Sequence, residues 1–532
     1  MLDRWTVVIL LGMAVFMSWA AGRYTVFDDE AFSCRRYTMP AGEMVSALWH
    51  GVEPDPPLYY ILENAWVAIF GVGPLGLRSL SIIIFLIALI VIRQAGSAWF
   101  DPRTGLVAMI LCALHPAHLF FGFAARWYSL MFLMSALVIW LTARLAASRR
   151  SERRLVVGWA LAAAGACYTN YFGVAVVALA WLIGLGKSRG TPHALRRWLC
   201  AAAGALLLYI PWLVPFWKQV TAFPMAGKGS AFLCAAVLAR TTLALLAGNL
   251  ASIGAWWAWA PLGVFGIAVA ILTARQWRIA WPVASLFLGC LAAGVASRTM
   301  IDKYIMTFSG AACLLAAALL ARNVWASPPS PNRLWARAAL VCLVIGWIGC
   351  GVNLVTQRHW SSLRWLDPFE QVTADLFAQR DAPPPRHWAM THPSARYYFG
   401  CSSVRRADSQ QQSLHQRRWK IDAELWRQYA EPPSIALRNS DLACGTPTAI
   451  LQEMESTSLH SLVTVETAGF REPAEDWEDL LKVLTRSFAV TWERDYLEDP
   501  TAALKDWLDP AVTHPGWRIM VRRWEPIMPQ GS

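Results

Sequence analysis

The sequence predicts an α-helical polytopic membrane protein of about eleven transmembrane helices, followed by a soluble C-terminal α/β domain. Three observations predict it. First, only 15% of the 532 residues are charged and 56% are hydrophobic, against roughly a quarter charged in ordinary soluble domains. Second, apolar windows long enough to cross a bilayer, about 20 residues, recur as far as residue 356. Third, the charge changes character beyond that point. Residues 1–359 hold 28 Lys and Arg against 11 Asp and Glu, whereas residues 360–532 hold 19 against 24. The basic first part and the acidic tail are different physical objects, and the domain boundary falls at 356/357. Thirty Trp suit a protein with long water–lipid boundaries, where indole anchors at head-group level.

The predicted spans are 5–22, 75–93, 104–121, 128–147, 155–170, 172–186, 198–215, 254–274, 279–297, 304–321 and 338–356. The first resembles a signal peptide, and Ser18-Trp19-Ala20 offers small residues for cleavage. A retained signal-anchor helix is the favoured reading, because an acidic cluster follows at once and needs holding at the membrane face. Basic residues crowd four connections: Arg144, Arg149, Arg150, Arg153 and Arg154; Lys187, Arg189, Arg196 and Arg197; Arg275 and Arg278; Arg322, Arg333 and Arg337. With eleven spans and the N-terminus inside, all four fall on the cytoplasmic side, as positive loops should. Loop topology therefore explains the net charge of +12, and no nucleic-acid partner is required. The apolar window 231–250 is read as an interfacial helix, because Arg240 and Asn249 oppose full burial and a twelfth span would put two basic clusters outside.

The remaining connections collect on the opposite face: 22–74, the turn at Arg126, the turn at Asn170-Tyr171, 216–253, the turn from Arg298 to Lys303, and the tail. In the first of these, Pro56-Pro57 opens a helix that runs from Leu58 to Phe70 and stops at Gly71. In the tail, Asp367–Gln379 and Glu475–Phe488 read as helices, and Arg386–Met390, Leu462–Val465 and Arg518–Trp524 as strands. Cys401 and Cys444 are the tail's only cysteines and form a disulfide if it is extracytoplasmic; the remaining cysteines lie chiefly in apolar spans, where they act as small hydrophobes.

Seven of the first part's 11 acidic residues lie between Asp28 and Glu63. Carboxylates beside a membrane are costly without a task. Phe27-Asp28-Asp29-Glu30 after the first span, followed by Asp55-Pro56-Pro57-Leu58-Tyr59-Tyr60, resembles the first external loop of GT-C glycosyltransferases, which take sugars from polyprenyl-phosphate carriers. Ala125-Arg126-Trp127-Tyr128-Ser129-Leu130 resembles that family's Arg-x-Tyr segment. Tyr168-Thr169-Asn170-Tyr171 resembles a Tyr-Thr-His-Tyr pattern, with Asn170 in place of His. Asp302-Lys303-Tyr304 resembles an Arg-Tyr element at the tenth span. The resemblance covers about residues 1–320 and points to the branch of protein mannosyltransferases and lipid A aminoarabinose transferases.

The resemblance implies a GT-C-like membrane domain and inverting sugar transfer on the extracytoplasmic face of the inner (plasma) membrane. Such chemistry needs a carboxylate for the acceptor and cations for the departing phosphate. By the motif, Asp29 is the base and Glu30 orients it, with Asp28 as the base if the register moves by one. Asp55 stands where His is common, with His50 five residues earlier, and also suits an N-cap for the following helix, with Tyr59 facing the site. Arg126 and Lys303 hold phosphate, with Arg298 as a second choice. Tyr128, Asn170, Tyr171 and Tyr304 line the site. The partners are a lipid-linked sugar donor, an acceptor (glycan, lipid or protein) and membrane lipids. No cofactor is required; a divalent cation stays open, although Ala124 occupies a position that is often acidic. A lipid-linked saccharide flippase and an inactive relative in envelope assembly are the alternatives.

Overall fold

The computed structural model describes residues 3–356 except 25–27, 38, 51–54, 149–151, 190–192, 223–237, 239–240, 249, 251–255, 298–301 and 326–329. In the tail it describes four strands, 387–390, 462–468, 488–496 and 518–526. The chain divides into two compact units. One comprises Met1–Arg23, Ala41–Glu63 and Arg78–Ser361; the other comprises Tyr24–Pro40, Asn64–Leu77 and Ser362–Ser532.

In chain order the helices are α1 (Arg4–Arg23), α2 (Asp28–Tyr37), α3 (Ala41–Trp49), α4 (Leu58–Phe70), α5 (Pro74–Trp99), α6 (Pro102–Leu114), α7 (Pro116–Phe121), α8 (Tyr128–Ala147), α9 (Arg153–Thr169), α10 (Gly173–Lys187), α11 (Ala194–Tyr209), α12 (Leu213–Ala222), α13 (241–247), α14 (Trp256–Arg275), α15 (Trp277–Ser297), α16 (Ser309–Val324) and α17 (Arg333–Thr356). Every predicted span coincides with helix. Six helical stretches are long and apolar enough to cross a membrane: Arg4–Arg23, Pro74–Trp99, Tyr128–Ala147, Ala194–Gln219, Trp277–Val295 and Arg333–Val352. The shorter apolar helices include Pro102–Leu114, Gly173–Lys187 and Ser309–Val324. The outer faces of the long helices carry exposed Leu, Ile, Val and Trp, such as Leu11, Val15, Leu206, Leu207, Val341 and Ile348. That is the surface a hydrocarbon solvent requires.

α1 is docked in the first unit. Thr6, Met17, Ala20 and Ala21 are buried, Asp3 accepts from the backbone and hydroxyl of Thr6, and Asp3 pairs with Arg93 of α5. The fully buried Arg78 donates from Nη1 to the Ala21 carbonyl at 2.8 Å and lies 5.3 Å over the Phe123 ring.

Three predicted spans are interrupted, one of them, 198–215, by a 3-10 turn at Ile210–Trp212 between α11 and α12. The span 104–121 breaks at His115, because Pro116 has no N–H to continue the helix and pushes the preceding residue to extended geometry. His115 has φ −62° and ψ 125° and caps α7 by accepting from Ala117 N. The break buries two imidazoles whose rings lie 4.8 Å apart. His115 Nε2–H donates to Leu245 O at 2.7 Å; His118 Nδ1–H donates to Cys112 O at 2.8 Å and its Nε2 bonds Ser309 Oγ at 2.7 Å. The tenth span begins as a 3-10 turn, Asp302–Thr307, before α16. Within 231–250, α13 is packed among helices instead of lying on a surface. Thr241, Ala244 and Ala247 are buried, and the carbonyls of Leu245 and Leu246 accept from His115 and from Trp347 of α17. At its end Gly248 takes φ +58°, and a Cβ there would sit 2.7 Å from Ala117 N.

In the second unit, α2 opens on Asp28-Asp29-Glu30 and carries Arg35 and Arg36 near its end, the charge order that a helix dipole favours. The acidic cluster, expected in a loop, is therefore the first turn of a helix. Asn64 Nδ2 donates to the carbonyls of Tyr37 and Met39, at 2.6 and 2.8 Å. α4 has the predicted bounds and ends where Gly71 adopts φ +76°. The tail strands β1 (His387–Met390), β2 (Leu462–Ala468), β3 (Phe488–Tyr496) and β4 (Arg518–Pro526) form one sheet of order β1-β2-β4-β3, with β1/β2 parallel and the other pairs antiparallel. β1, β2 and β4 fall on predicted strands. β3 was not expected, and Phe488, expected to close a helix, begins it. Asp367–Gln379, most of Glu475–Phe488, Cys401 and Cys444 lie outside the described residues.

Candidate active site

The clearest polar assembly in the first unit is built on Arg126, in the short turn between α7 and α8. Its Nη2 donates to Asp55 Oδ2 at 2.7 Å and its Nη1 to the Tyr60 hydroxyl at 3.2 Å. Arg126, Asp55 and Tyr60 are all buried. An ion pair taken out of water persists only with tight geometry and further hydrogen bonds, and here both are present. Asp55 does not cap α4, which begins three residues on at Leu58; Pro56 and Pro57 offer no N–H, and the carboxylate is engaged by Arg126 instead.

Tyr59, expected to face the site, points into a second buried network. Its hydroxyl donates to Glu63 Oε2 at 3.0 Å and bonds Ser81 Oγ at 2.8 Å. The tyrosine that joins the Arg126 cluster is its neighbour Tyr60. The motif pointed to Tyr59, but the helical phase of α4 gives the contact with Arg126 to Tyr60.

A third chain lies around Tyr171. Trp212 Nε1–H donates to its hydroxyl at 3.3 Å, the hydroxyl donates to Gln219 Oε1, and Gln219 Nε2 donates to Leu48 O at 2.9 Å. Burial raises the Tyr171 phenol above its ordinary pKa; the Trp212 hydrogen bond opposes this, and the nearby Asp55 carboxylate adds to it. Asn170 is buried, and its side-chain oxygen accepts from Phe172 N at 3.0 Å, closing the turn into α10. Phe216 packs edge-on to Tyr171 at 4.9 Å.

Aromatic contacts tie three turns together. The Tyr304 ring lies 5.4 Å from Trp127 and 4.9 Å from Phe172, so the 3-10 turn carrying Lys303 is locked to the turns of Arg126 and Asn170. Lys303 itself is part-exposed. Tyr128 is fully buried, edge-on to Trp127 and Phe121, so its ring belongs to the packing beneath Arg126. Trp127 is buried, and its Nε1 has no hydrogen-bond partner among the described residues. Arg298 lies outside the described residues. Asp28, Asp29 and Glu30 belong to the other unit, where Glu30 is buried in the first turn of α2. Among the described residues no three His, Cys, Asp or Glu gather as a metal site.

Residues 54–215 match the model of the dolichyl-phosphate-mannose-protein mannosyltransferase family. The whole chain superposes on ArnT from Cupriavidus metallidurans in the apo state, with a TM-score of 0.56, 14% identity and coverage of 98% of this chain and 97% of that one. The same protein bound to undecaprenyl phosphate gives a TM-score of 0.56 at 15% identity, covering 98% of each. No curated protein sequence matches the chain. The fold is thus of the GT-C type, in a membrane protein that resembles glycosyltransferases using polyprenyl-phosphate-linked donors.

Proposed function

We propose that the chain is an integral membrane glycosyltransferase that moves a sugar from a polyprenyl-phosphate carrier to an extracytoplasmic glycan, lipid or protein. The observation that carries this reading is the Asp55–Arg126–Tyr60 cluster, which lies wholly within the segment matched by the mannosyltransferase family. The relative of known structure that binds undecaprenyl phosphate has the same fold.

In this reading the acceptor hydroxyl attacks the anomeric carbon from the face opposite the phosphate. Asp29 takes its proton, the new glycosidic bond forms as the C–O bond to phosphate breaks, and the bonding pair leaves with the polyprenyl phosphate. Configuration inverts, because there is one displacement. Glu30 orients the base. Arg126, with a planar guanidinium already directed by Asp55 and Tyr60, and Lys303 stabilise the charge that grows on the departing phosphate. Preorganised cations cost no reorientation at that moment. Tyr171, Asn170 and Tyr304 form the hydrogen-bonding and stacking surface for the sugar. The first domain carries the chemistry and the tail is its extracytoplasmic partner domain. No divalent cation is assigned.

The experiment uses membranes containing the chain and polyprenyl-phosphate sugars with different radiolabelled head groups. The wild type is expected to transfer label to lipid, polysaccharide or protein. Asp29→Asn is expected to abolish transfer with expression intact, and Lys303→Ala to weaken donor more than acceptor use. Full activity in Asp29→Asn sinks the assigned base; donor binding without transfer by any head group supports a flippase instead.

A further inference from the structure

Away from the Arg126 cluster, the first unit holds a cavity of about 520 Å³ among α6 and α13–α17, a size typical of small-molecule pockets, roughly 300–1,000 Å³. Its wall is apolar, including Phe265, Val269, Phe287, Leu291, Leu315 and Leu343. The polar groups that reach it are already committed. His115 bonds Leu245 O and Ala117 N, Thr242 donates to Leu238 O, Thr273 to Val269 O, and Trp347 to Leu246 O. A water needs two to four polar partners to be held; among the described lining residues the donors of His115, Thr242, Thr273 and Trp347 are taken, leaving only spare acceptor lone pairs on the threonine hydroxyls. Its natural content is hydrocarbon.

One end of the cavity is lined by Thr273, Ala274 and Trp277, and Trp277 is 46% exposed, so the space reaches the surface where α14 meets α15. The connection there reads Arg275-Gln276-Trp277-Arg278, with both arginines exposed. Arg275 Nη1 donates to Asn332 Oδ1 at 2.9 Å, which brings in the start of α17. There, among the described residues, Arg333 Nε is buried with no hydrogen-bond acceptor and Gln276 Oε1 with no donor. The sequence from 256 to 356 contains one acidic residue, Asp302, which opens the 3-10 turn preceding α16. An apolar slot opening beneath an interfacial Trp and unopposed arginines has the chemistry of one ligand class: a hydrocarbon chain on a phosphate.

We propose that this cavity is a binding site for an anionic phospholipid, with one acyl chain among α6 and α14–α17 and the phosphate at Arg275, Arg278 and Arg333. The site is independent of the proposed transfer reaction, and its test reads lipid retention, not activity. The full chain is reconstituted in nanodiscs of equal phosphatidylglycerol and phosphatidylcholine, released, and weighed by native mass spectrometry. The wild type is expected to keep one phosphatidylglycerol in preference to phosphatidylcholine by about tenfold or more, as clustered arginines at an anionic head group produce. Arg275→Gln with Arg278→Gln should bring that ratio near one. Ala284→Phe, which fills the cavity, should remove retention of both lipids, and the milder Ala312→Leu should weaken it. Equal retention of the two lipids by wild type overturns the proposal, as does a preference that survives the arginine changes. Retention of added undecaprenyl phosphate with exclusion of phosphatidylglycerol overturns it too, making the cavity a groove for the carrier.

Discussion

Arg126 divides one guanidinium between two acceptors that belong to a different segment of the chain, and that geometry sets what substitution does. Removing either partner leaves a buried charge uncompensated, which costs about 3–5 kcal/mol, whereas removing both leaves little to compensate. Asp55→Asn and Arg126→Gln singly are therefore expected to lower the thermal midpoint in detergent markedly. The double variant should lose much less than their sum; strict additivity would deny the pair. Tyr59 and Tyr60 give a second contrast. Tyr59→Phe deprives Glu63 and Ser81 of a shared hydroxyl and should cost stability, by about 1–3 kcal/mol for a buried polar group left unpaired, with donor affinity little changed. Tyr60→Phe frees one N–H of Arg126 and should alter donor affinity first. Equal effects on both readouts from the two variants would contradict this division. Arg126 was legible in the sequence through the resemblance of Ala125-Arg126-Trp127-Tyr128 to the Arg-x-Tyr segment of GT-C enzymes. Tyr60 and Arg78 were not. The first depends on the rotation of α4, and the second reads, by position alone, as an ordinary Arg near a helix end, whereas it is wholly buried.

At the scale of elements, local chemistry was readable wherever the signal was local. Pro57 before α4 and Gly71 after it define that helix to the residue. The acidic start and basic end of α2 were equally present in the sequence, but the motif's resemblance to a loop drew attention away from its helical charge order. The break at His115-Pro116 was also in plain view, yet hydropathy averages over it, because both halves are apolar. β3 was hidden for another reason. Its run Thr491-Trp492-Glu493-Arg494-Asp495 is too charged to read as a strand until β4 supplies Arg522 opposite Glu493. Gly248 joins a positive φ to a close approach. Its φ of +58° alone should make alanine cost about 1 kcal/mol or more. A new Cβ there would also sit 2.7 Å from Ala117 N. Gly248→Ala is therefore expected to cost more than the φ penalty alone in a melting assay; a loss of about 1 kcal/mol or less would place α13 elsewhere than against α7.

At the scale of the whole molecule, a bundle of apolar helices was legible because apolar windows of membrane-spanning length recur as far as residue 356. The sheet order was not, since pairing β1 with β2 joins strands more than 70 residues apart, and no local pattern encodes that. Sidedness is a claim that charge makes and labelling can check. In a cysteine-free background, single cysteines at Ser148 and Arg189 are expected to resist an impermeant maleimide in intact spheroplasts and to react after permeabilisation. A cysteine at His50 should react in both. The opposite pattern would invert the bundle and remove the acidic cluster from the face where the acceptor is expected.

The contact between Arg78 and the Ala21 carbonyl also has a consequence for biogenesis. α1 is synthesised more than fifty residues before Arg78, so its last turn is made without the donor that Ala21 O meets in the folded chain. When α5 enters the bilayer the guanidinium arrives, and from then on withdrawal of either helix breaks that bond. The first helix is thus fastened retroactively, by the second long one, and the loop between them is closed as part of insertion itself.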